Sequence, residues 1–584
     1  METINCEFRG TTLNLTEKEM VISIPRNFLS KMNWERLGQI VLQLGGSGVA
    51  WVLGPSTIAV VPATADKAAP RWRQMGLDAL SYLLFVLMLP LNHPLRKLYE
   101  ALEWGEIDKM CAPVYKNQSR GAPAYPPQVL FRVLVLMFYS GTPFESATLR
   151  QLKTDVAWRW FVGLSLLCGT PDAATLSYFR KRLGVVLFET ILVYLIQECE
   201  AAGLVGHVES YYDMTGVLAS ATQVTPYQRA VMLAKTISLY LEQEAGGVGV
   251  ISPEQIATIS LEVLQEKHPS LQKVKPAQIV ASQTKLAQKM NQNEASEPRW
   301  WQRLSHKVKE VGQQLWVAPQ NTTDHVRAVA QQLGSSLPQT FGNPDAAVGH
   351  TRTDGTLCGY RSGFLVDAKH RIITAVTFVA LNMTEAPTLV TALDKHYAIF
   401  QRYPQHLGLD SAFDRDAVHQ ATQQRHIESV ATARSRPGPK GVFHADAFIW
   451  NEHGLLICPH DEVMKLVAGP YKDGTDRYRS SAQCAQCPLF EQCLSPKQQL
   501  KDKPQRELLT KTAAHQRAQQ NRERSRTTEG WALRLRRFAA EGLFGHLNQY
   551  HNGDKAPYRD GQMDHIAQLM VAFTSNLEQL AAHT

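Results

Sequence analysis

The sequence has no apolar run long enough to cross a bilayer. The most apolar stretch, LSYLLFVLMLPLNHP from Leu80, falls short of the roughly 20 residues a spanning helix needs, and Pro90 closes it. A buried helix is the expectation there, and a membrane partner is not. METINCEFRG has no basic segment followed by an apolar core, so no secretory leader is expected. Cysteine is scarce and irregularly spaced, nine in 584 residues, in a chain far too large to need disulfide staples. That pattern predicts a reducing, cytoplasmic setting. No fixed-period repeat and no long low-complexity stretch is present, which excludes a solenoid. An acidic excess is missing as well: Lys+Arg 61 against Asp+Glu 53 leaves a net charge of +8. This modest excess is compatible with a polyanionic partner but does not identify one.

What is present suggests several domains, since a single compact core rarely organises so long a chain. Residues 1–92 carry a strand and helix in MVISIPRNFLSKMNWERLGQIVLQL and a β-hairpin in GVAWVLGPSTIAVVPA, and no role can be read there. Residues 93–203 read as helical. AYPPQVLFRVLVLMFYSG has Pro127 near a helix start and Gly141 at its end. TPDAATLSYFRKRLG opens on Asp172 as an N-cap ahead of a basic run. This succession is compatible with a helix-turn-helix-like unit whose Arg180, Lys181 and Arg182 contact DNA, or with a plain bundle that has a basic outer face.

From residue 204 the pattern becomes mixed α/β. GHVESYYDMTGVLASAT reads as a strand ending on Asp213. A polar helical segment, about 222–340, interrupts it. CGYRSGFLVDAKHRIITAVTFVALN then reads as a hairpin, APTLVTALDKHYAIFQRY as a helix, and QHLGLDSAFD as a strand ending on Asp410. A short-stranded, cysteine-bearing insertion fills about 436–500, a basic helix follows, and DHIAQLMVAFTSNLEQL closes the chain as an amphipathic helix.

That basic helix contains RLRRFAAEGLFGHLNQY, in which Arg534, Arg537, Glu541 and Asn548 share one face. A solvated Arg537–Glu541 pair would account for the carboxylate at a gain of only about 0.2–0.5 kcal/mol. The alternative joins Glu541 to Asp213 and Asp410, two carboxylates placed at strand ends. Three hard oxygen donors in one place suit Mg²⁺ or Mn²⁺. Two such ions about 4 Å apart activate a water or 3′-hydroxyl and stabilise the leaving oxygen of a phosphodiester.

Cys484, Cys487 and Cys493 are spaced C-x2-C-x5-C, with Cys458 upstream, and four thiolates of this kind can hold a structural Zn²⁺. His444, His453 or His460 could replace one thiolate, and buried free thiols are the alternative. Cys6, Cys111, Cys168, Cys199 and Cys358 are scattered and read as structural.

The ordered set YYDMTG, LGLDSAFD and RLRRFAAEGLFGHLN resembles the DDE transposases of bacterial insertion sequences. The similarity is to the groups called IS-four-like and IS-eleven-eighty-two-like, with their Y-x2-R-x3-E-x6-K signature. Arg537 matches the signature arginine, Arg534 holds the tyrosine position and Asn548 the lysine position. GTPDAATLSYFRKRL, the central strands and CAQCPLFEQC extend the likeness from about His93 to the C-terminus. The resemblance implies a ribonuclease H-like core in which Asp213, Asp410 and Glu541 hold the catalytic metals, and in which Arg534 and Arg537 meet DNA phosphates. It implies an enzyme that binds the terminal inverted repeats of its element, cleaves them and joins them to target DNA. The expected partners are double-stranded DNA and a second copy of the chain in the active complex. The expected location is the bacterial cytoplasm, with action at the nucleoid. A metal-dependent nuclease without strand transfer and a catalytically inactive DNA-binding regulator are the competing readings.

Overall fold

The computed structural model describes the strands within residues 4–62, residues 85 and 88–90, and residues 92–584 apart from 116–124, 143, 167, 245–250, 293–305, 311–321, 352–354, 434–441 and 481. The helix expected after residue 23 and most of the apolar run from Leu80 lie outside the described residues. No described helix is long and apolar enough to cross a membrane.

Two compact units are formed, Met1–Tyr99 with Leu149–Asp172, and Glu100–Thr148 with Ala173–Thr584. The helical stretch 93–203 is therefore divided between them. In the first unit five strands form an antiparallel sheet in the order β1-β2-β3-β5-β4: β1 (Ile4–Phe8), β2 (Thr11–Leu15), β3 (Met20–Ser23), β4 (Val49–Gly54) and β5 (Thr57–Pro62). β4 and β5 are the hairpin expected from their alternating pattern.

The helices of the second unit include α1 (Pro127–Tyr139), buried along nearly its whole length, and α2 (Ala173–Ala201), broken at Gly184, whose φ of 68° departs from the helix. Its sheet has the central order β9-β8-β6-β10-β11, built from β6 (Glu209–Ala219), β8 (Gly355–Asp367), β9 (Ile373–Ala380), β10 (His406–Leu409) and β11 (Glu428–Ala431), with β7 (Ala347–Thr351) beside β8. β6, β8 and β9 pair antiparallel, whereas β6, β10 and β11 pair parallel. Between β6 and β7 the chain leaves the sheet. Helices α3 (Pro226–Glu244), α4 (Pro253–Gln265), α5 (Pro276–Gln292) and α6 (Thr322–Ser336) surround a core of their own, which includes Leu233, Ile256 and Leu333.

One face of the sheet packs on α7 (Ala386–Phe400): Tyr212, Leu365, Leu407 and Leu409 meet Leu389 and Leu393. Each fully buried aliphatic side chain of this kind contributes roughly 1.5–3 kcal/mol. The cysteine-bearing insertion forms a small sheet of β12 (Lys465–Ala468), β13 (Asp476–Arg479) and β14 (Glu507–Thr510) over Phe448, Leu456 and Tyr478. After it, α8 (Thr512–Arg526) closes the open edge of β11. Asn521 accepts from the Ala431 N–H at 3.0 Å and donates to the Ala431 carbonyl at 3.1 Å, supplying the partners a neighbouring strand would have given.

α9 (Thr528–His551) carries Glu541, and β15 (Lys555–Ala556) joins the far end of β6. The last helix, α10 (Gly561–His583), is not amphipathic as its sequence suggested. It packs against α1, α2 and β9 and is buried on most sides. Asn576 fixes it by holding both backbone groups of Ile373 at 2.8 Å.

Candidate active site

Strand register brings two of the three expected carboxylates together. The parallel pairing of β6 with β10 runs from Glu209↔His406 to Tyr212↔Leu409, so the next positions on the two strands are Asp213 and Asp410. β10 stops there, but β6 does not end on Asp213 as the sequence suggested. It runs on to Ala219 because β8 continues to pair with it. Asp213 thus sits mid-strand, where its parallel neighbour ends. Tyr212 points to the α7 side, its hydroxyl 2.7 Å from Thr377 and 2.9 Å from Thr388. Alternation then turns Tyr211 and Asp213 to the opposite face, toward α9.

On that face Leu533 packs against Tyr211 and Val430. Gly408 permits this close approach, since a Cβ there would lie 2.7 Å from the Tyr211 ring. Leu533, Arg537 and Glu541 follow at four-residue intervals, so the packed face of α9 becomes a polar face over Asp213. Arg537 Nη1 donates to Asp213 Oδ2 at 3.1 Å, and its Nη2 donates to Glu541 Oε1 at 2.8 Å. The arginine side chain is only 11% exposed, against 47% for Glu541. The Arg537–Glu541 pair therefore exists, but as part of a bridge to the central strand and not as a solvated surface pair.

Burial pushes the Asp213 carboxyl up to about 6; Asp410 and Glu541 push the same way, while the Met214 N–H and Arg537 oppose them. Asp410 and Glu541 are thus near enough for their charges to be felt at Asp213. Asp410 accepts from the Ser411 N–H and caps the short turn Ser411–Phe413. Arg537 joins Asp213 and Glu541, whereas the ligand atoms of Asp213, Asp410 and Glu541 do not all lie within 4.8 Å of one another. Carboxylate oxygens, one of them costly to ionise, are the donor type that a hard divalent ion takes.

The expected DNA contacts divide into different environments. Arg180 is not a surface contact. It is 3% exposed, ion-paired with Glu145, and its guanidinium lies 4.0 Å from the centre of the Tyr558 ring. Lys181 and Arg182 are exposed, Arg182 donating through Nε to the Val114 carbonyl at 2.7 Å. Arg537 is engaged by two carboxylates and is not a free phosphate donor as it stands. Arg534 is half-buried, and its Nε has no hydrogen-bond partner among the described residues.

The four cysteines converge. Cys458, Cys484, Cys487 and Cys493 line one small cavity of about 30 Å³, together with His460. Burial pushes the Cys493 thiol up to about 11, and the other three cysteines add to that shift. His453 is exposed, and His444 is held by Asp446; neither lines the cavity. The side chain of Cys6 lies outside the described residues, while Cys111 and Cys199 are buried free thiols.

Sequence reasoning missed one group entirely. His546 and His551 on α9 meet Glu578 on α10, and their ligand atoms all lie within 4.8 Å of one another. The H-x4-H spacing was visible, but it does not follow the three- and four-residue steps of a helix face, and Glu578 is remote in sequence.

Among known proteins, residues 86–182 match the family model of a transposase domain (DUF772), and residues 457–581 match that of a transposase DDE domain. The first match includes Arg180, Lys181 and Arg182. The second includes the four cysteines and Glu541, while Asp213 and Asp410 lie between the two. No curated protein matches the chain. Transposases act on DNA, and DDE transposases use divalent metals. The two domains, in this order along one chain of mixed α/β fold, support an insertion-sequence DDE transposase.

Proposed function

We propose that Asp213, Asp410 and Glu541 are the catalytic acids, that they hold Mg²⁺ or Mn²⁺, and that the chain cleaves the ends of its own element and transfers them to target DNA. The observation that carries this reading is the bridge from Asp213 through Arg537 to Glu541, beside a strand register that sets Asp410 next to Asp213. The central order, three antiparallel strands followed by two parallel ones, supports a ribonuclease H-like core. The divalent ions would polarise the phosphodiester and lower the pKa of the attacking water or 3′-hydroxyl.

The chain's own residues have separate tasks. Asp213, held in place by the locked Tyr212, presents its carboxylate on the α9 side of the sheet. Arg537 offsets the charge of Asp213 and Glu541 while no cation is bound, and it is near enough to meet a phosphate when a cation displaces it. Arg534, Lys181 and Arg182 grip the duplex backbone, which positions DNA without reading its sequence. The four cysteines hold a structural Zn²⁺ in the insertion, and two copies of the chain act on paired ends.

The test uses purified protein with element-end DNA and with a pre-cut end. Glu541→Gln keeps size and helix propensity. It should leave folding and DNA binding intact while cleavage and joining fall roughly a thousandfold, the loss of about 4 kcal/mol of electrostatic stabilisation. Near-normal cleavage by Glu541→Gln in Mg²⁺ would remove this residue from the catalytic set. Cleavage without joining of the pre-cut end would favour a nuclease.

A further inference from the structure

We infer that His546, His551 and Glu578 form a second metal site, of the transition-metal class exemplified by Zn²⁺, which fastens the C-terminal end of α9 to α10. It is separate from the acidic site and does not depend on the reading of that site.

Hydrogen bonding fixes the chemistry of the site. His551 is 1% exposed, and its Nδ1 lies 2.9 Å from the Phe138 carbonyl at the end of α1. A carbonyl only accepts, so Nδ1 carries the proton and donates it. In the neutral ring Nε2 then presents a lone pair. That lone pair faces Glu578 Oε2 at 3.3 Å and His546 Nε2 at 3.3 Å, while His546 Nε2 is 3.5 Å from the same Glu578 oxygen. A histidine whose second nitrogen donates to a carbonyl is the usual arrangement behind a metal ligand, because the carbonyl sets the tautomer and the ring direction.

The distances distinguish a cation from a shared proton. One proton would draw a single pair to about 2.8 Å and leave the third group outside. Here the three separations are nearly equal. Ligands about 2.0–2.1 Å from a tetrahedral Zn²⁺ lie roughly 3.3–3.4 Å apart. Imidazole nitrogens with one carboxylate suit zinc and its neighbours in the first transition row, not the hard cations that oxygen-only sites select. His546 is 44% exposed, so the fourth position opens toward solvent and can take a water. The consequence for the fold is positional. His546 lies five residues beyond Glu541, roughly 7.5 Å along the helix axis, so a bond there would hold the segment of α9 that carries Glu541.

The experiment is metal analysis of the full chain after dialysis against a weak chelator. His546→Ala and Glu578→Gln are compared with wild type and with Cys484→Ser/Cys487→Ser. Both changed residues are at least partly exposed, and Glu578→Gln is isosteric, so far-UV circular dichroism should be unchanged. The expected result is the loss of about one equivalent of Zn²⁺ from each of the two helix variants, with that equivalent retained in the cysteine variant. Cobalt substitution should show the same split: visible d–d absorption lost from the helix variants, with any thiolate-to-cobalt band untouched. Zinc content equal to wild type in both His546→Ala and Glu578→Gln would overturn the proposal. So would zinc that washes out of the wild-type chain completely.

Discussion

Nη1 of Arg537 lies 3.1 Å from Oδ2 of Asp213, across 324 positions of sequence. This contact joins the last third of the chain to its central strand through a positive charge. If Asp213 and Glu541 hold a divalent ion as proposed, arginine and metal compete for the same carboxylates. Arg537→Gln should leave Asp213 and Glu541 without their cation. Breaking a fully buried pair costs about 3–5 kcal/mol, and the exposure of Glu541 reduces that figure to roughly 2. Mg²⁺ or Mn²⁺ should restore much of the loss, because a ligand that binds only the folded state stabilises it. Scanning calorimetry with and without metal checks this. A metal-induced rise in Tm no larger in Arg537→Gln than in wild type would show that the two cations do not share the site.

The parts of this site that were legible in the sequence were those set by local pattern. Asp410 closes a short apolar run, and Glu541 is a carboxylate aligned with two arginines on one helical face. The parts that were not legible depend on distant partners. Nothing near Asp213 reveals that β8 carries β6 past it. Nothing in YFRKRLG reveals that Arg180 meets Glu145 and Tyr558. Apolar residues on several sides of α10 look like one amphipathic face until α1, α2 and β9 are placed around it. The bridging role of Arg537 has the same origin: the sequence showed its i,i+4 partner but not the strand beneath it.

Asp564 gives the fold a pH dependence of its own. It is fully buried, with its carboxylate 2.8 Å from the Tyr558 N–H and 2.9 Å from Asn343 Nδ2. Burial pushes this carboxyl up to about 7, against the pull of those two donors. A carboxyl whose pKa is higher folded than unfolded favours the fold in its neutral form. Its contribution is fully present below about pH 4 and is lost as pH rises through about 7, on the order of 4 kcal/mol in all. Asp564→Asn cannot ionise. The stability of wild type relative to this variant should therefore fall between about pH 4 and pH 7 in denaturant titrations and level off above that. A difference that stays constant across that range would rule the assignment out.

The cysteine cavity predicts local rather than global unfolding. Phe448, Leu456, Met464, Tyr478 and Leu508 form a small core of their own, which runs past residue 500 to the strand Glu507–Thr510. If four thiolates hold Zn²⁺ there, the free energy of binding is also free energy of folding for that small core. Cys484→Ser/Cys487→Ser should release zinc and speed hydrogen exchange across β12, β13 and β14, while β6 and β10 keep their protection. Protection in the insertion that is the same with and without the cysteines would leave the thiols as packing only.

The basic run at the end of YFRKRLG separates structure from DNA binding residue by residue. Arg180 is enclosed with Glu145 and the Tyr558 ring, so Arg180→Ala strands a buried carboxylate and removes a cation–π contact. The expected cost is about 3–5 kcal/mol of stability. DNA affinity per folded molecule should be unchanged. Lys181 and Arg182 are exposed on the same turn of α2, Arg182 resting against Val114 and the Tyr115 ring. Neutralising both should cost less than Arg180→Ala, about 1–2 kcal/mol, from the exposed Arg182 contacts with the Val114 carbonyl and the Tyr115 ring. It should weaken binding to all duplexes alike and lower the slope of log affinity against log salt by up to about 1.8, the value for two released counterions. Thermal melts and salt-dependent gel shifts on the same preparations read both quantities. A DNA defect in folded Arg180→Ala, or none in the Lys181→Ala/Arg182→Ala protein, would place the duplex on a different surface.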